Sequence, residues 1–467
     1  MHAFAPDLLA SWTGGRWTKT PSEALTEFTV DTRLLRPGQV FVALKTIRRD
    51  GHAFLGAAQL KGASAAIVTF PNPALVLPQL VVGDPLAALQ AIARAHRRRF
   101  TGAVIGITGS AGKTSTKELL TLLLGGADGG VLATEGNLNN HIGVPLTLLR
   151  LDPEVHRHAV VEAGISAPGE MGMLAGLIEP DLALVTLVAP AHLAELGGIE
   201  GVAKEKAVLP AAVRPAGVAV FPSACLEFGP FRDLGVRKLV VEAADVLRPA
   251  EPPKDRVYFT TTHRGGTTAV ALAYGKPPPL VFTFRRVSDG MAQNAALAIC
   301  TALWLGVRAD AIQARLEAWS AAPLRGEWRL DGARRLYLDC YNANPAAMAD
   351  AIEAFCAVAP PGEPRLFILG CMEDLGLEAP RYHRELGRFL HLREGDRLMI
   401  IGSEAEAVRE GALEHGNRPD RIEIADSLAP IAARLAEFQG AVFVKGSRRY
   451  QLERALSGAA IAETVHA

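Results

Sequence analysis

Cysteine is scarce: Cys225, Cys300, Cys340, Cys356 and Cys371 are scattered, odd in number and form no Cys-x-x-Cys pair. That excludes a disulfide framework and a cysteine zinc site, and it implies a reducing compartment. Charge of one sign is missing too, since 49 basic residues face 49 acidic ones for a formal net charge of zero. No global basic field is available for nucleic acid or an anionic membrane, so neither is an expected partner. The short cluster His96-Arg97-Arg98-Arg99 reads as a solvated helix end. A membrane span needs roughly 20 apolar residues, and the longest run, near Leu182 to Ala191, has about half of that. The first residues, MHAFAPDLLASW, lack a charged segment followed by an apolar one, so no signal peptide and a cytoplasmic location are expected. Fixed-period repeats and low-complexity segments are absent. What remains is the composition of a soluble globular protein.

The 467 residues exceed one ordinary core, and the apolar runs sort into three blocks. In residues 1–98, short runs at Val40 to Leu44, Ala65 to Thr69 and Leu80 to Val82 lead to an amphipathic helix from Pro85, a small α/β unit. Residues 99–321 carry strand candidates at Ala103 to Thr108, His158 to Ala163, Leu182 to Val188, Gly217 to Phe221 and Lys238 to Val241, with a late helix at Ala292 to Leu305. Continuous apolar runs separated by helices predict a parallel sheet covered on both faces. Residues 322–467 repeat this alternation, with strands at Leu336 to Tyr341, Leu366 to Leu369, Leu398 to Ile401, Ile422 to Ile424 and Val442 to Val444. This predicts a second doubly wound unit, although no G-x-G-x-x-G follows its first strand.

The strongest local signal is Gly106-Ile-Thr-Gly-Ser-Ala-Gly-Lys-Thr-Ser115, between a strand and a helix. Glycines let the backbone curl so that successive N–H groups meet phosphate oxygens, and the helix adds the positive end of its dipole. Gly109, Ser110, Ala111, Gly112, Lys113, Thr114 and Ser115 are the expected nucleotide cradle. Lys113 would reach the transferring phosphate and the Thr114 hydroxyl would ligate magnesium. Ile107 stands where a general P-loop has its first glycine, so the pattern is the narrower T-G-S-x-G-K-T form.

That variant resembles the Mur ligase family and its folate-adding relatives. Further segments carry the likeness through all three blocks: Val30-Asp-Thr-Arg33, Asp50-Gly-His52, Thr134 to Pro145, Val161-Glu-Ala-Gly164, Ala191-His-Leu193, Gly290-Met-Ala-Gln-Asn294, Asp339-Cys-Tyr-Asn-Ala-Asn-Pro345 and Lys445-Gly-Ser-Arg448. The last two look like the branch that adds a dipeptide. The resemblance implies three domains: a UDP-sugar domain, a P-loop ATPase domain and a Rossmann-like domain for the incoming dipeptide. It implies an ATP- and Mg2+-dependent amide ligase joining D-alanyl-D-alanine to a UDP-linked muramoyl tripeptide, with a monomer as the expected state.

Site residues follow from the same likeness. Lys113, Glu162, His192 and Lys206 are the expected catalytic set. Thr114 and Glu162 would hold one magnesium; His192 and a carbamate on Lys206 would hold a second, with Lys204 the alternative lysine. Asn294 and Asp339 would contact the nucleotide. Asp31, Thr32, Arg33, Asn139, Asn140, Tyr341, Asn342, Asn344 and Lys445 would contact substrates. Plainer readings stand beside these. His192 could be an ordinary loop histidine, Asp339 a helix N-cap and Arg33 a surface ion-pair partner. The family's Gly-Arg pair is replaced at Gly326-Glu327, leaving Arg325 or Arg329 as the substitute. The ligase adding the third residue and folylpolyglutamate synthase are the sister alternatives, and a non-catalytic nucleotide switch is the alternative of another class.

Overall fold

A computed structural model describes residues 2–247, 254–274, 278–332 and 334–456. The chain is an α/β protein built on three sheets of five, nine and six strands. In the first, Gln79–Val81, Ala65–Val68, Val40–Val42 and Phe28–Thr29 run parallel, and Arg16–Trp17 pairs antiparallel at the edge. Helix Pro85–Arg99 closes this unit, capped by the Asp84 carboxylate, which accepts from Leu86 N–H. Its basic end departs from the solvated reading. Arg97 is fully buried and donates to the carbonyls of Ile178 and Glu179 and to Asp181. That guanidinium ties the first unit to the second, where a charged group survives burial because its donors are taken up.

The nine-stranded sheet places Ala103–Thr108 at its centre, between Leu182–Val185 and His158–Glu162. Alternate residues of this strand serve two cores. Ile105 and Ile107 pack with Leu119, Leu120 and Ala295 of covering helices Lys113–Leu123 and Asp289–Trp304, while Val104 faces the opposite cluster. Each such residue contributes roughly 2 kcal/mol on burial. Gly106 is small because Leu209 of helix Ile199–Ala211 lies 3.2 Å from where its Cβ would be. The sheet is not wholly parallel as expected. Arg256–Arg264, Thr267–Ala273 and Leu280–Arg285 form an antiparallel meander at one edge. Burial alternates along it (Val257, Phe259; Val270, Leu272; Phe282, Phe284), because one face meets the core and the other meets solvent. Val131–Ala133 adds a strand at the other edge.

The six-stranded sheet runs Glu327–Asp331, Arg334–Leu338, Ala441–Lys445, Arg365–Gly370, Arg397–Ile401, Ile422–Ala425, parallel except for the first pair. The expected strand to Tyr341 stops at Leu338, and Asp339 to Asn344 become the loop before helix Pro345–Val358. The cap of that helix is Asn344, whose side chain accepts from Ala347 N–H; Asp339 has no such role. No helix among the described residues is long and apolar enough to cross a membrane.

Candidate active site

The turn after Ala103–Thr108 has left-handed backbone at Gly112 (φ +76) and an equally side-chain-averse value at Gly109 (φ +149). Close packing excludes a Cβ at both, since it would lie 1.9 Å from the Thr186 hydroxyl at Gly109 and 2.3 Å from the Asn294 amide at Gly112. The loop is pinned from outside. Thr186 donates to the Ala111 carbonyl (2.5 Å), Ser110 N–H to the Leu187 carbonyl (2.8 Å) and the Ser110 hydroxyl to the Ala189 carbonyl (2.7 Å). Helix Lys113–Leu123 begins directly after it, so its free N–H groups and dipole face the same space.

Lys113 donates to the Gly109 carbonyl at 2.8 Å. Burial lowers its pKa, with the Arg325 charge adding to that and Glu162 opposing it. Glu162 ends strand His158–Glu162 and is buried with both oxygens engaged. Oε2 accepts from the Thr114 hydroxyl (2.9 Å) and Oε1 from the Asn139 amide (2.8 Å). A hydroxyl and a carboxylate side by side above a phosphate-binding turn are the hard donors magnesium uses when water and phosphate complete its shell. The described residues contain no group of three or more His, Cys, Asp or Glu able to hold a metal unaided.

The opposite wall comes from the six-stranded unit, and together they enclose a cavity of about 430 Å³ lined by Ser110 to Ser115, Asn139, Glu162, Asn294, Arg325, Asp339, Tyr341, Asn342, Asn344 and Lys445, among others. Asn344 Nδ2 bridges the units by donating to the Ser110 carbonyl at 3.2 Å. Lys445 is almost fully buried and donates to Asp339 (2.5 Å) and to the Asn342 carbonyl (3.2 Å). Asp339→Ala would strand that cation. Denaturant unfolding should then show a loss on the order of 3 kcal/mol, and an unchanged midpoint would mean the pair is dispensable. Of the two substitutes, Arg325 sits 3.9 Å over the Tyr341 ring and lines the cavity, whereas Arg329 is paired with Glu327 on a strand.

Other expected residues lie elsewhere. His192 and Lys206 are not on the cavity wall, yet both sense Lys113, whose charge lowers the pKa of each after the larger effect of burial. Lys206 is 3% exposed, with no salt bridge to a described residue, while Lys204, one turn-half away, is exposed. His192 is left-handed (φ 51) and its Nδ1 stands 3.5 Å from Asp374, which is left-handed as well (φ 62). The adjoining Leu193 N–H donates to the Asp374 carbonyl. Asn140 caps the following turn, accepting from Ile142 and Gly143 N–H. Asp31, Thr32 and Arg33 form a loop of the first unit away from this cavity. There Arg33 is largely exposed and paired with Asp31, and Lys61 donates to the carbonyls of Thr32 and Arg33.

Several lining residues were not foreseen: Arg286, Trp319, Trp328, Tyr337 and Asp350. Trp328 and Tyr337 are cross-strand partners in the antiparallel pair that the sequence reading missed. Asp350 sits on a helix face with no motif around it, so only the fold reveals it.

A phosphate-binding turn, a carboxylate–hydroxyl pair and a second α/β unit closing over them define a nucleotide-dependent ligase architecture, and the chain belongs to the Mur ligase family. The Mur ligase middle domain matches residues 107–231, and the Mur ligase glutamate ligase domain matches residues 325–448. Among its relatives are the UDP-N-acetylmuramoyl-tripeptide--D-alanyl-D-alanine ligase of Escherichia coli, 32% identical over 91% of each chain, and that of Bacillus subtilis, 30% identical over 84% of this chain and 83% of that one. Solved structures of MurF from Acinetobacter baumannii (TM-score 0.85, 27% identity, 98% of each chain) and of MurF from Thermotoga maritima in complex with ADP (TM-score 0.77, 26% identity, 92% of this chain and 96% of that one) share the fold.

Proposed function

We propose that this chain uses ATP to join D-alanyl-D-alanine to UDP-N-acetylmuramoyl-tripeptide in the cytoplasm, working as a monomer. The observation that carries the reading is the two-walled cavity. A phosphate-binding turn with Lys113 faces Asp339, Tyr341 and Lys445 across a space bridged by Asn344 and Ser110.

A carboxylate and an amine do not condense unaided in water, so the tripeptide carboxylate is activated first. Its oxygen attacks the γ-phosphorus of ATP, ADP leaves, and an acyl phosphate results. The dipeptide amine then attacks the acyl carbon, inorganic phosphate leaves with the C–O bonding pair, and the nitrogen gives up a proton to solvent. Negative charge gathers in the first step, and the chain answers it with Lys113, the Gly109 to Ser115 N–H groups and the helix dipole. Arg325 adds a second cation on the cavity wall. Thr114 and Glu162 would hold Mg2+, which neutralises phosphate charge when bound; Asn139 keeps Glu162 turned towards Thr114. His192 with a carbamate on Lys206 would form a second ion site. The first unit, with Asp31, Thr32 and Arg33, would hold the UDP end, so substrate reaches the cavity as a long molecule laid between units.

The test is ligation followed by mass spectrometry, with UDP-muramoyl peptides and a dipeptide panel. One ADP and one phosphate should appear per amide formed. D-Ala-D-Ala should outpace L-Ala-L-Ala by about 10²-fold or more, because a site built around buried polar groups rejects a mismatched isomer. Equal rates would reject the dipeptide assignment, and phosphate release independent of any amine would favour a nucleotide switch.

A further inference from the structure

The start of helix Asp289–Trp304 is gripped from two sides. On one side, the Asn294 amide lies so close to Gly112 of the phosphate-binding turn that a Cβ there would sit 2.3 Å from it. On the other, one turn earlier, Gly290 N–H donates to Asp350 Oδ1 at 2.8 Å, and a Cβ on Gly290 would lie 2.7 Å from Asp350 Oδ2. Asp350 belongs to helix Pro345–Val358 of the six-stranded unit, so this bond crosses from one wall of the cavity to the other. The Ser288 hydroxyl caps the same helix by accepting from Met291 N–H. Burial raises the Asp350 pKa, against hydrogen bonds from Gly290 N–H and Ser288 that favour the carboxylate; Asp339 and Lys445 are the charged groups facing it. A half-buried carboxylate on a helix start is held there by the unpaired N–H groups and the positive dipole end.

We infer that Asp350 is a positioning residue for nucleotide binding: it fastens the six-stranded unit to the first turn of Asp289–Trp304 and thereby sets Asn294 against Gly112. Docking of that unit and assembly of the nucleotide site are then one event. This rests on the nucleotide reading of the cavity given above. Asp350 reaches the turn through one helical turn of Asp289–Trp304, and the cap of its own helix, Asn344, touches the turn directly at the Ser110 carbonyl, so the two contacts hold the walls together side by side.

The experiment is isothermal titration of the full chain with ADP, alongside steady-state ligation, for the parent, Asp350→Ala, Asp350→Asn and Gly290→Ala. Asp350→Ala should weaken ADP binding and raise the KM for ATP by about ten-fold with kcat little changed, a typical coupling between sites. Asp350→Asn keeps an oxygen that accepts from Gly290 N–H and should recover most of the affinity. Gly290→Ala, which pries the same contact apart from the other side, should weaken ADP in parallel with Asp350→Ala. ADP affinity unchanged in Asp350→Ala, or equal losses in the Ala and Asn variants, would overturn the inference. A parent chain that binds no ADP would overturn the nucleotide reading itself, and the inference with it.

Discussion

Lys113→Ala should lower the rate of amide formation by about 10³-fold while leaving the thermal midpoint near its parent value. The size of the effect comes from where charge appears. Lys113 lies beside the turn that would cradle the transferring phosphate, and burial lowers its pKa, with the Glu162 carboxylate opposing this and Arg325 adding to it. Where cavity walls replace part of the bulk solvent, a cation acts on developing charge with less screening than in water. The fold should tolerate the change, since the amine's hydrogen bond is to the Gly109 carbonyl of its own loop. Phosphate release and product mass report the rate; circular dichroism reports the fold. Turnover within a few-fold of the parent would reject the phosphate-clamp role.

Lys206→Ala should cost about 10²-fold, and added formate or acetate should restore part of the loss. Burial pushes the Lys206 amine well below the usual lysine range, and the Lys113 cation pushes it further, against Glu205. The neutral amine is thereby accessible. In the proposed step its nitrogen would attack carbon dioxide, forming an N–C bond while one C=O pair becomes an anionic oxygen and a proton passes to solvent. The product is a hard oxygen donor close to the charge of Lys113. Because only the neutral amine reacts, such a carbamate should persist below the ordinary lysine pKa and be lost as pH falls through the depressed one. A carbamate carbon resonance after equilibration with labelled carbon dioxide should vanish in Lys206→Ala. Full activity in that variant, or no such signal in the parent, would remove the role.

The parts of this molecule that were legible in the sequence are those written as local patterns. Ala103–Thr108 followed by glycines and Lys-Thr specifies a strand, a turn and a helix within twenty residues, and each appears. Between Lys204 and Lys206 the family likeness favoured the second, with Leu209 three positions on, and burial falls on the same residue. The edge meander was missed although Gly265-Gly266 between alternating strands is a hairpin signal; runs of buried parallel strand elsewhere had set the wrong period. The basic end of Pro85–Arg99 was misread because only tertiary contact shows that Arg97 finds three acceptors inside. Asp350, Trp328 and Tyr337 reach the cavity through long-range packing, which no short window of sequence encodes.

The facing pair His192 and Asp374 bears on how the six-stranded unit leaves as well as how it arrives. Both residues sit in left-handed backbone, which costs about 1 kcal/mol or more for a side chain other than glycine, although histidine and aspartate tolerate it better than most. Their conformations are held by one another's contacts, through the Leu193 N–H bond to the Asp374 carbonyl and the imidazole beside the carboxylate. If the two units part during turnover, both backbones would be free to relax, and the joint would act as a loaded spring. Part of the attraction gained on contact would then be stored as torsion and returned on release. For an enzyme that takes three molecules and releases three products, such a contact would be shallow in free energy and so would not slow release.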